Sequence, residues 1–159
     1  MKITDILEPD SISIDLSAET KKEALSKVLD LIKRKFTKIE RQKITKILLD
    51  REKLSSTACE HSIAIPHARL EFIDYFITAI GKFKTGVDFN SFDTEKTFLV
   101  FLILGPKDKP GEFLKLLASI SKLLKNEEIK DKLLKTDKIE SFYKIIKNFE
   151  RESIVSNSD

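Results

Sequence analysis

A run of seven consecutive apolar residues constrains the fold of this chain more than any other feature of its sequence. Residues 98–104 read Phe-Leu-Val-Phe-Leu-Ile-Leu, and Gly105 and Pro106 follow them directly. Such a run is typical of a strand that is covered on both faces, because a strand with one wet face alternates apolar and polar residues. It is far shorter than the roughly 20 residues that a membrane-spanning helix needs. We therefore expect a central strand between two layers.

Shorter patterns predict the elements on either side of this strand. Alternating or β-rich segments predict further strands at residues 12–16, 63–65 and 76–84. Apolar residues at helical spacing predict helices at residues 20–36, at about 40–53, from Phe113 to Leu124, after Asn126, and from Asp137 onwards. Strands between helices imply a three-layer α/β/α sandwich. Whether the strands pair in parallel or in a mixed sheet does not follow from periodicity.

Two details of these elements can be checked in a structure. Ile44, Ile47 and Leu48 are expected on the inner face of the second helix, because they recur at helical spacing. The last helix is expected to end near residue 150. A length of 159 residues suits one domain with one core. The chain then divides into a single domain, residues 1–150, and a frayed polar tail, residues 151–159.

Composition excludes several classes of protein. Charged residues make up 35% of the chain and hydrophobic residues 41%, a balance typical of a globular protein rather than a disordered one. The net charge is only +3 and lysines are mixed with acidic residues, so no nucleic-acid-binding patch is indicated. The single cysteine, Cys59, excludes an internal disulfide framework and fits a reducing cytosol. No signal peptide is visible, so we expect a cytoplasmic protein without membrane insertion.

His67 is the first candidate for chemistry, since it follows the predicted strand at residues 63–65 and the Pro66 that stops it. Side chains at the end of a strand in an α/β sheet project from a rigid frame into an open crevice. Neutral imidazole is a good nucleophile near neutral pH. Taken alone, however, one histidine after a proline is more often a structural or surface residue.

Arg51 lies on the apolar stripe of the second predicted helix, four residues after Ile47 and seven after Ile44. A cation at this position must reach an anion, a polar cleft or the rim of the core, because burying an unpaired charge is costly. Its guanidinium fork fits phosphate oxygens. The spacing is equally compatible with an arginine that extends to solvent or pairs with a carboxylate.

The loop before residues 63–65 is the second polar feature. Ser56 and Thr57 carry hydroxyls that such a loop can turn towards phosphoryl oxygens, although ordinary turn hydrogen bonding is the commoner role. Cys59 and His61 are too few for a metal site, which usually needs three or four ligands. No phosphate-binding glycine loop, dinucleotide fingerprint or nucleophile-elbow serine is present. We therefore expect neither a metal nor a cofactor.

Taken together, these segments resemble the IIA domain of the bacterial sugar phosphotransferase system, fructose/mannitol type. That group includes the nitrogen-regulatory IIA proteins. The similarity is carried by three segments, Arg51-Glu52, Ser56-Thr57 and Ile63-Ala64-Ile65-Pro66-His67-Ala68-Arg69. It extends over roughly the whole chain. The resemblance implies an α/β fold, a three-layer α/β/α sandwich with a mixed β-sheet, in agreement with the pattern of elements.

The resemblance also implies roles for individual residues. His67 matches the phosphorylated histidine of the family, and Arg51 matches the arginine beside it. Ser56 and Thr57 match the phosphate-facing loop. The implied phosphotransferase takes its phosphoryl group from the carrier HPr or a nitrogen-branch HPr-like carrier. It passes the group to the IIB domain of a sugar transporter or, in a regulatory member, uses it to switch binding to target proteins.

Three departures from the family pattern bear on these roles. Phe113 stands where the family has a second active-site histidine, so it is either a loss for transfer or an exposed docking residue. Ala58, Glu60 and Ser62 occupy a loop that is commonly glycine-rich in the family. His61 is additional, and it either substitutes for the missing histidine or faces solvent. The main alternative is therefore a non-catalytic regulatory binding module on the same fold, with weak or no phosphorylation.

Overall fold

A six-stranded sheet lies between helices in the computed structural model, which describes residues 1–59 and 62–157. The strands are β1 (Ile12–Leu16), β2 (Ala58–Cys59), β3 (Ile63–Ala64), β4 (His67–Leu70), β5 (Ile77–Val87) and β6 (Thr97–Pro106). The helices are α1 (Lys21–Asp30), α2 (Lys38–Leu54), α3 (Pro110–Lys125), α4 (Glu127–Lys135) and α5 (Ile139–Asn157). Short 3-10 turns lie at Ile3–Asp5, Pro9–Ser11 and Lys33–Lys35. Within this described part, none of the helices has the length and apolar character needed to cross a membrane.

The sheet is mixed, which confirms the expected three-layer α/β/α sandwich. β6 pairs antiparallel with β5 and parallel with the short strands β3 and β4. β1 pairs parallel with β5 on one side of the sheet, and β2 pairs antiparallel with β3 on the other. β3 and β4 contact successive parts of β6, so together they form one interrupted neighbour of the central strand.

β6 forms the centre of the core, as its uniformly apolar sequence predicts. Residues 99–104 are all 0% exposed. Successive side chains of a strand point to opposite faces, so burial at every position requires a helix layer on each side. Leu102 packs in the cluster of α1 and α2, whereas Phe101 packs in the cluster of α3, α4 and α5.

The first helix is shorter than its apolar spacing predicts. α1 ends at Asp30 rather than at residue 36, and the 3-10 turn at Lys33–Lys35 follows. Ile32 is nevertheless 0% exposed and Phe36 6% exposed. The tighter turn still brings both side chains to the core. The apolar pattern therefore predicted which residues are buried, but it did not distinguish one long helix from a helix followed by a turn.

The inner face of α2 also differs from the expected one. Ile47 is 39% exposed, so it does not belong to the buried stripe. The buried residues of α2 are Ile44, Leu48 and Glu52, which are spaced by four residues and lie along one line of the helix. An acidic side chain thus takes the place on this stripe where an apolar one is usual, and it must find polar partners there.

α5 continues through residues 151–157, within the segment that was expected to be a frayed polar tail. Glu150 binds this helix to the start of the chain. Its carboxylate accepts the backbone N–H groups of Ile3 at 2.6 Å and Thr4 at 3.0 Å, and the Thr4 hydroxyl at 2.8 Å. These bonds fix the helix to the start of the chain at the last residue before the expected tail.

Candidate functional site

His67 lies beside the central strand of the sheet. β3 ends at Ala64, and Pro66 interrupts the strand because it has no N–H to donate. β4 then begins at His67, which pairs with Ile103 of β6. The Pro66 carbonyl accepts the Ile103 N–H at 3.0 Å. The histidine therefore follows the end of one strand, as the sequence predicts, and is also the first residue of a second strand that anchors it.

A backbone carbonyl fixes the tautomer of the His67 imidazole. Nδ1 lies 2.7 Å from the Ile65 carbonyl oxygen. A carbonyl oxygen only accepts hydrogen bonds, so Nδ1 carries the proton of the neutral ring and donates it to this bond. Nε2 then holds the free electron pair, and it has no hydrogen-bond partner among the described residues. The partly buried ring thus has one defined nucleophilic atom.

Phe113 packs against the His67 ring from the first turn of α3. The ring centroids are 6.1 Å apart and the ring planes are tilted by 48°. Phe113 also stacks with Phe76, with the centroids 6.4 Å apart. Phe113 is only 6% exposed, so the expectation that it is an exposed docking residue is wrong. Its ring supplies an apolar contact to the imidazole and no hydrogen-bonding group.

Gly105 makes room for this aromatic pair at the sheet. A Cβ atom at this position would lie 2.7 Å from Cδ2 of Phe113 and 2.8 Å from Cδ1 of Phe76. Carbon atoms that are not bonded to each other prefer separations of about 3.5–4.0 Å. Both rings therefore approach the sheet closely, in the space that a side chain at residue 105 would otherwise fill.

The Arg51 guanidinium lies at the carboxyl end of α2. Its Nη1 group donates to the Ser55 carbonyl at 3.0 Å. It forms no ion pair with any carboxylate of the residues that the structure describes. A guanidinium has five N–H donors, so this one bond leaves donors for another acceptor. Arg51 is therefore a charged group that is held by the loop after α2 and has no acidic partner among residues 1–59 and 62–157.

The hydroxyls of Ser56 and Thr57 serve the loop itself. Ser56 Oγ donates to the Phe89 carbonyl and accepts the Ala58 N–H at 3.0 Å. Thr57 Oγ1 donates to the Glu52 carboxylate, and Thr57 is 8% exposed. The bond between Ser56 and Ala58 is the ordinary turn role that the sequence also allowed, whereas the bonds to Phe89 and Glu52 join the loop to other parts of the chain. These hydrogen bonds differ from the expectation that both hydroxyls face a phosphoryl group.

Reasoning from the sequence includes Glu52 in the Arg51-Glu52 segment but gives it no role of its own. Glu52 is 7% exposed. Its carboxylate pairs with Lys21 Nζ at 3.0 Å, and each of its oxygens lies 3.2 Å from the Thr57 N–H. The spacing contains a signal that could have found it. Glu52 follows Ile44 and Leu48 on the buried line of α2, and a carboxylate there requires partners.

The loop between β2 and β3 contains the remaining candidates. Glu60 and His61 lie outside the described residues, so both interpretations of His61 stay predictions. Ser62 has a φ of +74°, a backbone conformation that glycine adopts freely and other residues rarely adopt. Its carbonyl accepts the Phe98 N–H at 2.8 Å and the Leu99 N–H at 3.2 Å. This φ gives a physical reason for glycine in such a loop.

The fold and these residues define a class of protein, a three-layer α/β domain with a partly buried histidine of fixed tautomer. Residues 5–149 match the family described as phosphoenolpyruvate-dependent sugar phosphotransferase system, EIIA 2. The chain belongs to this family. The resemblance drawn from Arg51-Glu52 and from the segment around His67 is thereby confirmed at the level of the family.

Relatives from two branches of the phosphotransferase system resemble the chain. A nitrogen regulatory protein of Bradyrhizobium diazoefficiens is 32% identical over 146 residues, which are 92% of this chain and 95% of that protein. The fructose-specific EIIABC component of Bacillus subtilis is 30% identical over 151 residues, which are 95% of this chain and only 24% of that protein. The crystal structure of the nitrogen regulatory protein IIA-Ntr from Neisseria meningitidis has a TM-score of 0.84 at 26% identity, and the match covers 91% of this chain and 98% of that one.

These similarities support a transferase-type phosphocarrier or a regulatory role in the phosphotransferase system, with other proteins of that system as partners. They agree with the sequence-based assignment to fructose/mannitol-type and nitrogen-regulatory IIA proteins.

Proposed function

We propose that the chain is a phosphocarrier that accepts a phosphoryl group on Nε2 of His67. The observation that carries this proposal is the 2.7 Å contact between Nδ1 and the Ile65 carbonyl. That contact assigns the proton of the neutral ring to Nδ1 and leaves the electron pair on Nε2. A ring in this form attacks phosphorus without first losing a proton, so the step needs no separate general base.

The donor is a phosphohistidine of HPr or of a nitrogen-branch HPr-like carrier. The Nε2 electron pair of His67 forms a bond to phosphorus while the N–P bond of the donor breaks. The electron pair of that bond returns to the donor imidazole, whose other ring nitrogen carries a proton, so the donor leaves as a neutral ring. The phosphorylated His67 ring keeps its proton on Nδ1 and gains a positive charge. The Ile65 carbonyl then accepts a charge-assisted hydrogen bond from it, which stabilises the product.

Arg51 is proposed to stabilise the phosphoryl group during its transfer. Phosphoryl transfer passes through a loose transition state with charge on three equatorial oxygens, so catalysis depends on positioning and electrostatics. The guanidinium is bound to the Ser55 carbonyl and has no carboxylate partner among the described residues. Two residues further on, the Thr57 carbonyl accepts the Ile65 N–H at 3.0 Å. These bonds connect the arginine and the histidine through one short segment.

A regulatory module without rapid onward transfer is the second candidate, and Phe113 favours it. The phenyl ring beside His67 cannot donate a hydrogen bond to a phosphoryl group, whereas a histidine there would. The phosphoryl group would still bring about −1.5 to −2 charges to this face, by analogy with other phosphorylated side chains, against one positive charge on the ring, and so switch the binding of target proteins. The nitrogen regulatory relative supports this use, and the fructose-specific relative supports transfer to a IIB domain.

The test is incubation of the intact chain with enzyme I, a carrier of either branch and labelled phosphoenolpyruvate. We expect label on the unaltered chain and on His61→Ala at equal rates, and none on His67→Ala. His61 is the matched control because the chain has only two histidines. In NMR spectra, phosphorus should couple to Nε2 of His67. Label that persists in His67→Ala overturns the proposal, and absence of label at saturating donor replaces it with the binding module.

A further inference from the structure

We infer that Glu52 is a positioning residue for His67, acting through Thr57 and Ile65; this inference rests on the proposed function. The carboxylate does not touch the imidazole. It fixes the position of the backbone around Ile65, whose carbonyl oxygen accepts the hydrogen bond from Nδ1 of His67. Glu52 therefore sets the tautomer, and with it the nucleophilic atom, from the opposite end of a chain of hydrogen bonds.

The Glu52 carboxylate is held rigidly at its own end. It is 7% exposed and lies on the same buried line of α2 as Leu48. Lys21 Nζ, whose charge also lies over the Phe89 ring at 5.4 Å from the centroid, pairs with it at 3.0 Å. A buried carboxylate with a fixed cation and fixed donors has few alternative positions, because each would leave a polar group unpaired.

Thr57 transmits this position to the strand next to the histidine. Its backbone N–H and its hydroxyl both donate to Glu52. Its carbonyl accepts the Ile65 N–H at 3.0 Å, directly beside the antiparallel pairing of β2 and β3. The carbonyl of Ile65 in turn accepts from Nδ1 of His67 at 2.7 Å. Each residue of the chain Glu52–Thr57–Ile65–His67 is thus bonded to the next.

The same segment carries the acceptor that holds Arg51. Ser55, two residues before Thr57, binds the guanidinium at 3.0 Å through its carbonyl. A carboxylate that fixes Thr57 therefore constrains both the imidazole and the charge proposed to act beside it. Small errors in such positions are costly for group transfer, where a displacement of about 1 Å can lower the rate roughly 100-fold.

A second carboxylate provides a matched control. Glu150 accepts two backbone N–H groups and a threonine hydroxyl, from Ile3 and Thr4, in a pattern close to that of Glu52. It contacts the start of the chain and not the segment that leads to His67. Glu150→Ala thus removes bonds of the same kind without disturbing the proposed relay.

The experiment compares four variants in two measurements. The first measurement is the tautomer of His67, read from the nitrogen chemical shifts of its unphosphorylated ring; the second is the rate of labelling at saturating donor. The variants are Glu52→Ala, Glu52→Asp, the double variant Glu52→Gln with Lys21→Met, and Glu150→Ala. The double variant keeps an oxygen acceptor for Thr57 while it removes the ion pair. Glu52→Asp keeps the charge on a shorter side chain. It replaces Glu52→Ala in both measurements if that variant does not fold.

We expect Glu52→Ala and Glu52→Asp to populate both tautomers and to slow labelling about 10- to 100-fold. The double variant should keep the Nδ1–H tautomer and label within about threefold of the unaltered rate, even if its melting temperature falls. Glu150→Ala should lower the melting temperature and change neither readout. The inference is overturned if Glu52→Asp keeps the single tautomer, or if the double variant behaves like Glu52→Ala. The tautomer is read without phosphorylation, so a failure to accept label would contradict the proposed function alone.

Discussion

The two helix layers contribute different kinds of contact to the surroundings of His67. On the polar side, which consists of Arg51, Glu52 and Thr57, the layer of α2 provides charges and fixed hydrogen bonds. On the aromatic side, which consists of Phe113 and Phe76, the layer of α3 provides only apolar surface. In the proposed mechanism, charge and orientation come from the layer of α2, whereas the layer of α3 packs against the ring.

The largest effect is expected on the aromatic side. Phe113→Ala should lower the free energy of unfolding by about 3–5 kcal/mol, because it removes a ring that is 6% exposed and contacts two other rings. Denaturant unfolding measures this loss. The neighbouring Leu114→Ala is the control, since Leu114 is 68% exposed and its loss should change stability by no more than about 0.5 kcal/mol. Equal losses in the two variants would show that Phe113 does not pack as described.

The polar side should respond in rate rather than in stability. Arg51→Gln should slow labelling of His67 about 100-fold, the typical cost of losing one group that stabilises transition-state charge. Its unfolding free energy should stay nearly constant, because the guanidinium makes one hydrogen bond and no ion pair with described carboxylates. Lys53→Gln, at an exposed position of the same helix end, is the control. Similar rates in the two variants would remove the proposed role of Arg51.

A hydrogen-bond donor placed on the aromatic side tests whether its apolar character limits transfer. Phe113→His should raise the rate of transfer from phosphorylated His67 to an acceptor about tenfold, as one added hydrogen bond to a charged group of roughly 1.5 kcal/mol would. Phe76→His is the matched control, because Phe76 stacks on Phe113 and makes no ring contact with His67. The measurement is loss of label in the presence of a IIB domain. A rate that does not rise in Phe113→His, or that rises equally in Phe76→His, contradicts the idea that the missing donor on the aromatic side limits transfer.

The smallest effect is expected at the loop that leads to the histidine strand. Ser62→Gly should raise the free energy of unfolding by about 0.5–1 kcal/mol, because relief at its φ of +74° exceeds the entropy that glycine loses on folding. Ser55→Gly should give no such gain, since Ser55 has a φ of −168° that any residue adopts. Thermal or denaturant unfolding distinguishes them. Equal effects would show that the loop carries no backbone strain.

The sequence predicts the elements whose pattern has one physical cause. The uniformly apolar run became the buried strand β6, and the alternating residues 12–16 became β1, because burial on two faces or on one face dictates each pattern. The end of α1 could not be predicted in the same way. Ile32 and Phe36 are buried in either a helix or a 3-10 turn, so their spacing does not report the backbone between them.

The sequence predicted the residues of the candidate site better than it predicted the contacts between them. The segment around His67 indicated the residue and its family, but the bond from Nδ1 to Ile65 joins residues on either side of Pro66, where the strand is interrupted. The contact with Phe113 joins residues from β4 and α3, which no local pattern brings together. The burial of Glu52 was not predicted, because a lone carboxylate at helical spacing is usually solvated. Only the folded structure shows that this one is buried.

The hydrogen bonds from Ile3 and Thr4 to Glu150 are useful for protein engineering. Met1 and Ile154 border the same small cleft, so the start of the chain lies close to the last turn of α5. A short linker could join them, and new ends could open beside Phe92, which is 92% exposed in the connection between β5 and β6. Such a circular permutant would leave all strands uncut, and the domain would then be suited to insertion within a host protein.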